Sequence, residues 1–270
     1  MNNINNNLLL GCHVSNSGNE MLLGSVKEAL SYNANAFMVY LGPPQSTIRK
    51  DPSLLKIEEM KQELNDNNID IKNVIIHAPY VMNLAQGNEE KRKFAVDFLT
   101  NEMQTMATVG AKYIVVHPGA HMKQGSEIGL SLIAKSLQEV LDNTQFDDTC
   151  ICLETMSGKG TECGITFEEV KTLISLLNNN TRVGVCLDTC HIHDGGYDII
   201  NSYEEVIKEF DSIVGLNRLK VIHVNDSKND CGSHKDRHEN FGYGKIGFDA
   251  LMRFIKDERF VNIPKILETP

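Results

Sequence analysis

The stretch Val183-Gly184-Val185-Cys186-Leu187-Asp188-Thr189-Cys190-His191 decides the fold. Its first five residues form an apolar run with no polar alternation, the pattern of a strand buried on both faces. A carboxylate then stands at the strand end and an imidazole three residues further on. Working outward, similar runs occur at residues 8–11, 36–40, 74–76, 113–116, 150–153, 183–187, 221–224 and 263–267. Between them, residues 21–31, 54–65, 91–109, 128–141, 167–177, 203–213 and 248–256 place apolar side chains three and four apart, as amphipathic crossover helices require. Alternating strands and helices predict a parallel sheet with helices outside. Eight strands and seven helices favour a (β/α)8 TIM barrel lacking its last outer helix, with an open doubly wound sheet as the rival. No glycine-rich phosphate loop follows the first strand, which disfavours the dinucleotide-binding form of that rival and any nucleotide cofactor.

The length of 270 residues and 41% hydrophobic content suit one barrel domain over residues 1–270, near the roughly 250 residues typical of that fold. The Asn-rich residues 1–7 are expected to be a flexible N-terminus. They lack the basic and apolar regions of a signal peptide, and no apolar run reaches the length of a membrane span, so a cytoplasmic protein is expected. Nothing in the sequence demands more than a monomer. The seven cysteines include no CxxC pair and read as reduced core residues. His121, His193 and His234 are expected in solvent, and Glu89-Glu-Lys-Arg-Lys93 as an exposed charged turn opening a helix.

Side chains able to bind metal stand at the C-terminal ends of six successive strands: His77, His117, Glu154, Asp188, His223 and Glu268. That rim is where barrel enzymes build their active sites. One such residue is ordinarily a hydrogen-bonded structural group. Six in succession are another matter, because burying an unpartnered carboxylate or imidazole is costly. His191, Asp236 and His238 lie in the loops beyond the sixth and seventh strands and extend the set to nine. Imidazole with carboxylate fits zinc and also manganese or iron. The formal net charge of −10 argues at first against a nucleic-acid partner. Three divalent ions would, however, outweigh the four carboxylates of the set and leave the site about +2, a sign suited to a phosphodiester. Such a site can activate a water as nucleophile and stabilise the leaving oxygen, and Glu154, central in the set, is the candidate bridge.

Three stretches resemble the endonuclease IV family of apurinic/apyrimidinic endonucleases: His77-Ala-Pro-Tyr80-Val-Met-Asn83-Leu-Ala, Gly184-Val-Cys-Leu-Asp188-Thr-Cys-His191, and His223-Val-Asn225-Asp226-Ser-Lys228 running on to Asp236-Arg237-His238. Gly11-Cys-His13-Val-Ser15, His117-Pro-Gly119, Leu153-Glu154-Thr155, Gly242-Tyr-Gly244-Lys-Ile-Gly247 and Leu267-Glu268-Thr269-Pro270 support the match, which covers nearly the whole chain. The resemblance implies three zinc ions. His77 and His117 would bind the first, Asp188, His223 and Glu268 the second, and His191, Asp236 and His238 the third, with Glu154 bridging the first two. It implies hydrolysis 5′ to abasic sites in damaged duplex DNA by a metal-bound hydroxide, leaving a 3′-hydroxyl, and removal of blocked 3′ ends. Tyr80 matches a DNA-penetrating position, and Gln45 stands where some relatives carry an inserting arginine. Lys228 and Arg237 are candidate phosphate contacts, and His13 is expected behind the ligands. Relatives usually continue past Leu-Glu-Thr-Pro, so a missing helix would expose Glu268. The competing reading is a metal-dependent sugar isomerase or epimerase of similar barrel fold.

Overall fold

The computed structural model describes residues 8–270, so the expectation for residues 1–7 lies outside it. In chain order the barrel strands are β1 (Leu10–His13), β2 (Ala36–Val39), β3 (Val74–His77), β4 (Tyr113–Val116), β5 (Cys150–Glu154), β6 (Val183–Asp188) and β7 (Leu219–His223). A small antiparallel ribbon, β8 (Asp226–Ser227) and β9 (His238–Glu239), precedes the last barrel strand, β10 (Lys265–Leu267). The eight barrel strands close in the order β1-β10-β7-β6-β5-β4-β3-β2, every pair parallel. The doubly wound rival is thereby excluded.

Strand residues alternate between two apolar layers. Ala36, Met38, Ile75, Val115, Cys152, Cys186, Val221 and Ile266 fill the barrel interior, while Phe37, Val39, Ile76, Ile114 and Leu153 face the helices. Burial on both sides explains why the strands read as unbroken apolar runs. The outer layer comprises α1 (Met21–Ser31), α2 (Ile57–Asp66), α3 (Glu89–Val109), α4 (Ser126–Asn143), α5 (Phe167–Leu176), α7 (Tyr203–Ile213) and α8 (Phe248–Lys256). The extra helix, α6 (Thr189–Gly195), follows β6 directly and belongs to the rim. Among the described residues no helix follows β10. Glu268 is nonetheless largely covered, with 18% of its side chain exposed.

Local chemistry sets the helix ends. At α3, Asn88 accepts a hydrogen bond from the Lys91 amide at 3.0 Å and Gly110 turns the chain out with φ of 89°. The charged run that opens α3 is not wholly exposed, as its sequence suggests, because Arg92 is buried between Glu89 and Glu139 at 2.7 and 2.8 Å. Among the described residues no helix is long and apolar enough to cross a membrane.

Candidate metal centre

Barrel register delivers six side chains to one mouth. His77, Glu154, Asp188 and His223 are the last residues of β3, β5, β6 and β7, and His117 and Glu268 stand one residue beyond β4 and β10. Glu154 lies at the middle of the group. Its Oε2 is 3.2 Å from His77 Nε2 and 3.1 Å from His117 Nε2, and its Oε1 is 3.0 Å from His223 Nδ1. His223 Nδ1 is also 3.0 Å from Glu268 Oε2. The two oxygens of one carboxylate thus face two different sets of donors.

The other three side chains arrive by a different route. Asp188 caps α6, accepting from the His191 amide at 2.8 Å, and this fixes the imidazole three residues past the strand-end carboxylate. His238 belongs to β9, held beside Ser227 of β8. Asp236 lies in the turn between those strands, its Oδ1 at 3.1 Å from His191 Nε2 and 3.7 Å from His238 Nε2. Eight of the nine side chains therefore fall into overlapping groups able to hold an ion, with Asp188 shared between the strand-end and loop groups, and Asp236 joins the cluster through His191 and His238.

The donor set fits divalent cations. His77 Nδ1 faces the Ala78 carbonyl at 2.6 Å, His191 Nδ1 the Thr155 carbonyl at 2.9 Å, and His238 Nδ1 the Glu268 carbonyl at 3.1 Å. A carbonyl only accepts, so each Nδ1 carries a proton and each Nε2 is turned inward toward a carboxylate of the cluster, the nitrogen left to bind a cation and the arrangement that orients metal-binding imidazoles. His238 Nε2 is buried without a hydrogen-bond partner. Donor separations of 3.0–3.2 Å around Glu154 approach the edges of about 3.3 Å of a tetrahedron with bonds near 2.0–2.1 Å. The four carboxylates also need positive charge. Their ion-pair partners among the described residues are histidines, except for Lys159, whose Nζ is 3.7 Å from Asp236 Oδ2.

Electrostatics reflect that crowding. Burial by itself would raise the Glu154 carboxyl, but His117 and His223 hold it well below the usual carboxylate range. Burial likewise opposes ionisation of Asp236, yet the bond from His191 brings it down to about 2. Asp188 goes the other way, pushed up by burial.

Several polar neighbours, some of them within the quoted motifs, are given no role by the sequence reading. Asn225 donates to Asp188 Oδ2 at 2.7 Å and Glu268 Oε2 at 3.0 Å, and its Oδ1 accepts from the Glu268 amide at 2.8 Å. It therefore ties β6 to β10 across β7. Asp226 accepts from the amides of Gly242, Gly244 and Ile246 at 3.1, 2.9 and 3.0 Å, anchoring the loop beyond β9. A side chain on Gly244 would run into that carboxylate. His193, expected in solvent, is buried on α6. Cys231 is exposed and Cys12 half-buried, whereas the other five cysteines are buried. His13 is outside the cluster and packs edge-on against Tyr40, which in turn lies over His77.

Tyr80, Gln45, Lys228 and Arg237 are all exposed around this mouth or on its loops. The Gln45 loop is pinned from below. Arg49 pairs with the buried Glu102 at 2.7 Å, covers the Phe98 ring at 4.8 Å and donates to the carbonyls of Ser46 and Ile48, both at 2.9 Å.

Comparison with known proteins matches residues 26–270 to the family model described as "Xylose isomerase-like TIM barrel". The "Probable endonuclease 4" of Acholeplasma laidlawii is 50% identical over 263 residues, spanning 97% of this chain and 90% of that protein. The chain belongs to the endonuclease IV family. The Bacillus subtilis "Probable endonuclease 4" is 49% identical over 264 residues, covering 97% and 88% of the two chains. Endonuclease IV from Thermus thermophilus superposes with a TM-score of 0.85 at 30% identity, covering 97% of this chain and 92% of that structure. A D-tagatose 3-epimerase-like protein superposes at 0.69 with 19% identity over 95% and 89%, a likeness of fold alone.

Proposed function

We propose that this member of the endonuclease IV family hydrolyses the phosphodiester 5′ to abasic sites in duplex DNA at a three-zinc centre, and removes blocked 3′ ends at the same site. Endonucleolytic DNA repair follows from the family; the metals, their ligands and the range of ends are the proposal. His77, His117 and Glu154 would hold one ion, Glu154, Asp188, His223 and Glu268 a second, and His191, Asp236 and His238 the third. The observation that carries it is the division of Glu154, whose two oxygens face the two strand-end groups at 3.0–3.2 Å.

Divalent ions held by these residues would supply an activated water and would neutralise charge on the leaving oxygen. The protein's own part is placement. Carbonyl bonds at Nδ1 turn the Nε2 atoms of His77 and His191 inward, Asn225 fixes the carboxylates of Asp188 and Glu268, and Glu154 keeps the two strand-end groups in one register. Tyr80 and Gln45 would press on the duplex, and Lys228 and Arg237 would contact phosphate, with Lys159 adding a cation at the mouth. An abasic nucleotide turns out of the helix at less cost than a paired base, which gives the damage preference. The loop group favours this reading over sugar epimerisation, which needs no third ion.

The test is incision of a duplex carrying one abasic analogue, alongside the metal content of the purified protein. About three zinc equivalents, with incision abolished by a chelator and restored by metal, is the expected result. Two equivalents, or sugar turnover without incision, would overturn it.

A further inference from the structure

The loop group has no strand register to hold it, and its backbone is in an unfavourable form. His234 and Asp236 both have positive φ, 53° and 56°, a region that residues with a Cβ occupy uncommonly and at a modest cost. Both are restrained by one residue of α6. The Asp194 carbonyl accepts from the His234 amide at 3.0 Å, and Asp194 Oδ2 accepts from the Asp236 amide at 2.9 Å. The second carboxylate oxygen, Oδ1, accepts from Ser227 Oγ at 2.6 Å, and Ser227 Oγ accepts in turn from the Asn229 amide at 3.0 Å.

Asp194 is fully buried and sits one helical turn beyond His191. Ser227 is the partner of His238 across the β8/β9 ribbon. One side chain thus connects the helix that carries His191, the strand that registers His238, and the backbone of Asp236 itself. A carboxylate is a stronger acceptor for these donors than a neutral amide or hydroxyl, so both bonds are charge-assisted. Both carboxylate oxygens of Asp194 are thus engaged by protein donors rather than by the histidines of the cluster.

We infer that Asp194, with Ser227, is a positioning residue that sets the affinity of the His191/Asp236/His238 group for its ion without ligating it. The inference rests on the three-metal reading above. Without Asp194 the turn is free to relax toward negative φ, carrying the Asp236 carboxylate away from His191 and leaving the strand-end groups in place.

The experiment compares wild type with Asp194→Ala, Asp194→Asn and Ser227→Ala. Zinc equivalents are counted after exhaustive dialysis, the affinity for the most weakly held equivalent is measured by calorimetric titration of metal-stripped protein, and the thermal midpoint of each stripped variant is recorded. Asp194→Ala should keep two equivalents and bind the third about 10–100-fold more weakly. Asp194→Asn, whose Oδ1 can still accept from the Asp236 amide while its Nδ2 donates to Ser227, should fall between it and wild type, as should Ser227→Ala. If Asp194→Ala does not fold, those two milder variants report the same quantity. Retention of all three equivalents at wild-type affinity would overturn the clamp alone. Parallel loss of all three ions would reduce Asp194 to a structural role. A wild type that binds only two ions overturns the three-metal reading and the clamp with it.

Discussion

The two halves of the candidate centre are held by different means. The strand-end donors inherit their positions from backbone ladders that run around the whole barrel, so His223 stands opposite Asp188 and Ile266 as a matter of register. The loop donors depend on a seven-residue helix, a ribbon of two residues per strand and a few side-chain bonds to backbone. Register can be lost only with the fold. A turn held by side chains can be released one bond at a time.

The sharpest way to break the comparison is to remove the residue on which both strand-end groups depend. Glu154→Ala should lower incision by at least about 10³-fold, since it takes away a charge placed for the reaction, while circular dichroism stays native. Comparable incision by this variant and wild type would show that the strand-end groups act without their common carboxylate. Next in size is Asn225→Ala, expected to reduce activity or metal affinity about 10–100-fold by freeing Asp188 and Glu268. If metal counts show that it empties the loop group and spares the strand-end ions, the division drawn here is misplaced.

A smaller effect tests the periphery. Arg49→Ala loosens the Gln45 loop, and KM for an abasic duplex should rise several-fold with kcat nearly unchanged; a fall confined to kcat would count against a binding role for that loop.

The smallest effect on chemistry, and a clear one on stability, is expected at the opposite end of the barrel. Lys265 is fully buried, donates to the Phe260 carbonyl, and burial lowers its pKa to about 8. Its folded pKa lies below the unfolded value, so the unfolded chain binds more protons between about pH 8 and 10.5. This group therefore makes stability rise with pH across that window, and its penalty is fully present below pH 8. Lys265→Met should raise the melting midpoint by a few degrees at pH 7, lose that advantage by pH 10.5, and leave incision unaltered. A midpoint that falls at pH 7 would mean that the bond to Phe260 outweighs the desolvation of the ammonium.

The same division governs what could be read from sequence. The strands were legible because burial on both faces writes continuous apolar runs, and the polar residue ending each run marked the rim. The first strand was read two residues early, as 8–11, because Leu8 and Leu9 are as apolar as the strand itself; pairing with β2 moves it to Leu10–His13. The helix α6 is too short to show a period of its own, and β8 and β9 are shorter still, so His191, Asp236 and His238 could be proposed but not given a scaffold. Asn225, Asp194 and Lys159 were invisible as functional groups, because their roles lie in the direction of individual hydrogen bonds and charges rather than in residue type. Burial of His193 and Arg92 likewise depends on neighbours distant in sequence.

The barrel order carries a consequence for synthesis. β10, three residues long, is the last strand in sequence and the one that joins β1 to β7. Until it emerges from the ribosome, the preceding seven strands form an open sheet with two unpaired edges, the kind of surface that invites wrong pairing between nascent chains. Glu268 arrives with that closing strand, so the strand-end donor set is complete only when the ring has closed. Completion of that donor set and closure of the ring are therefore one event.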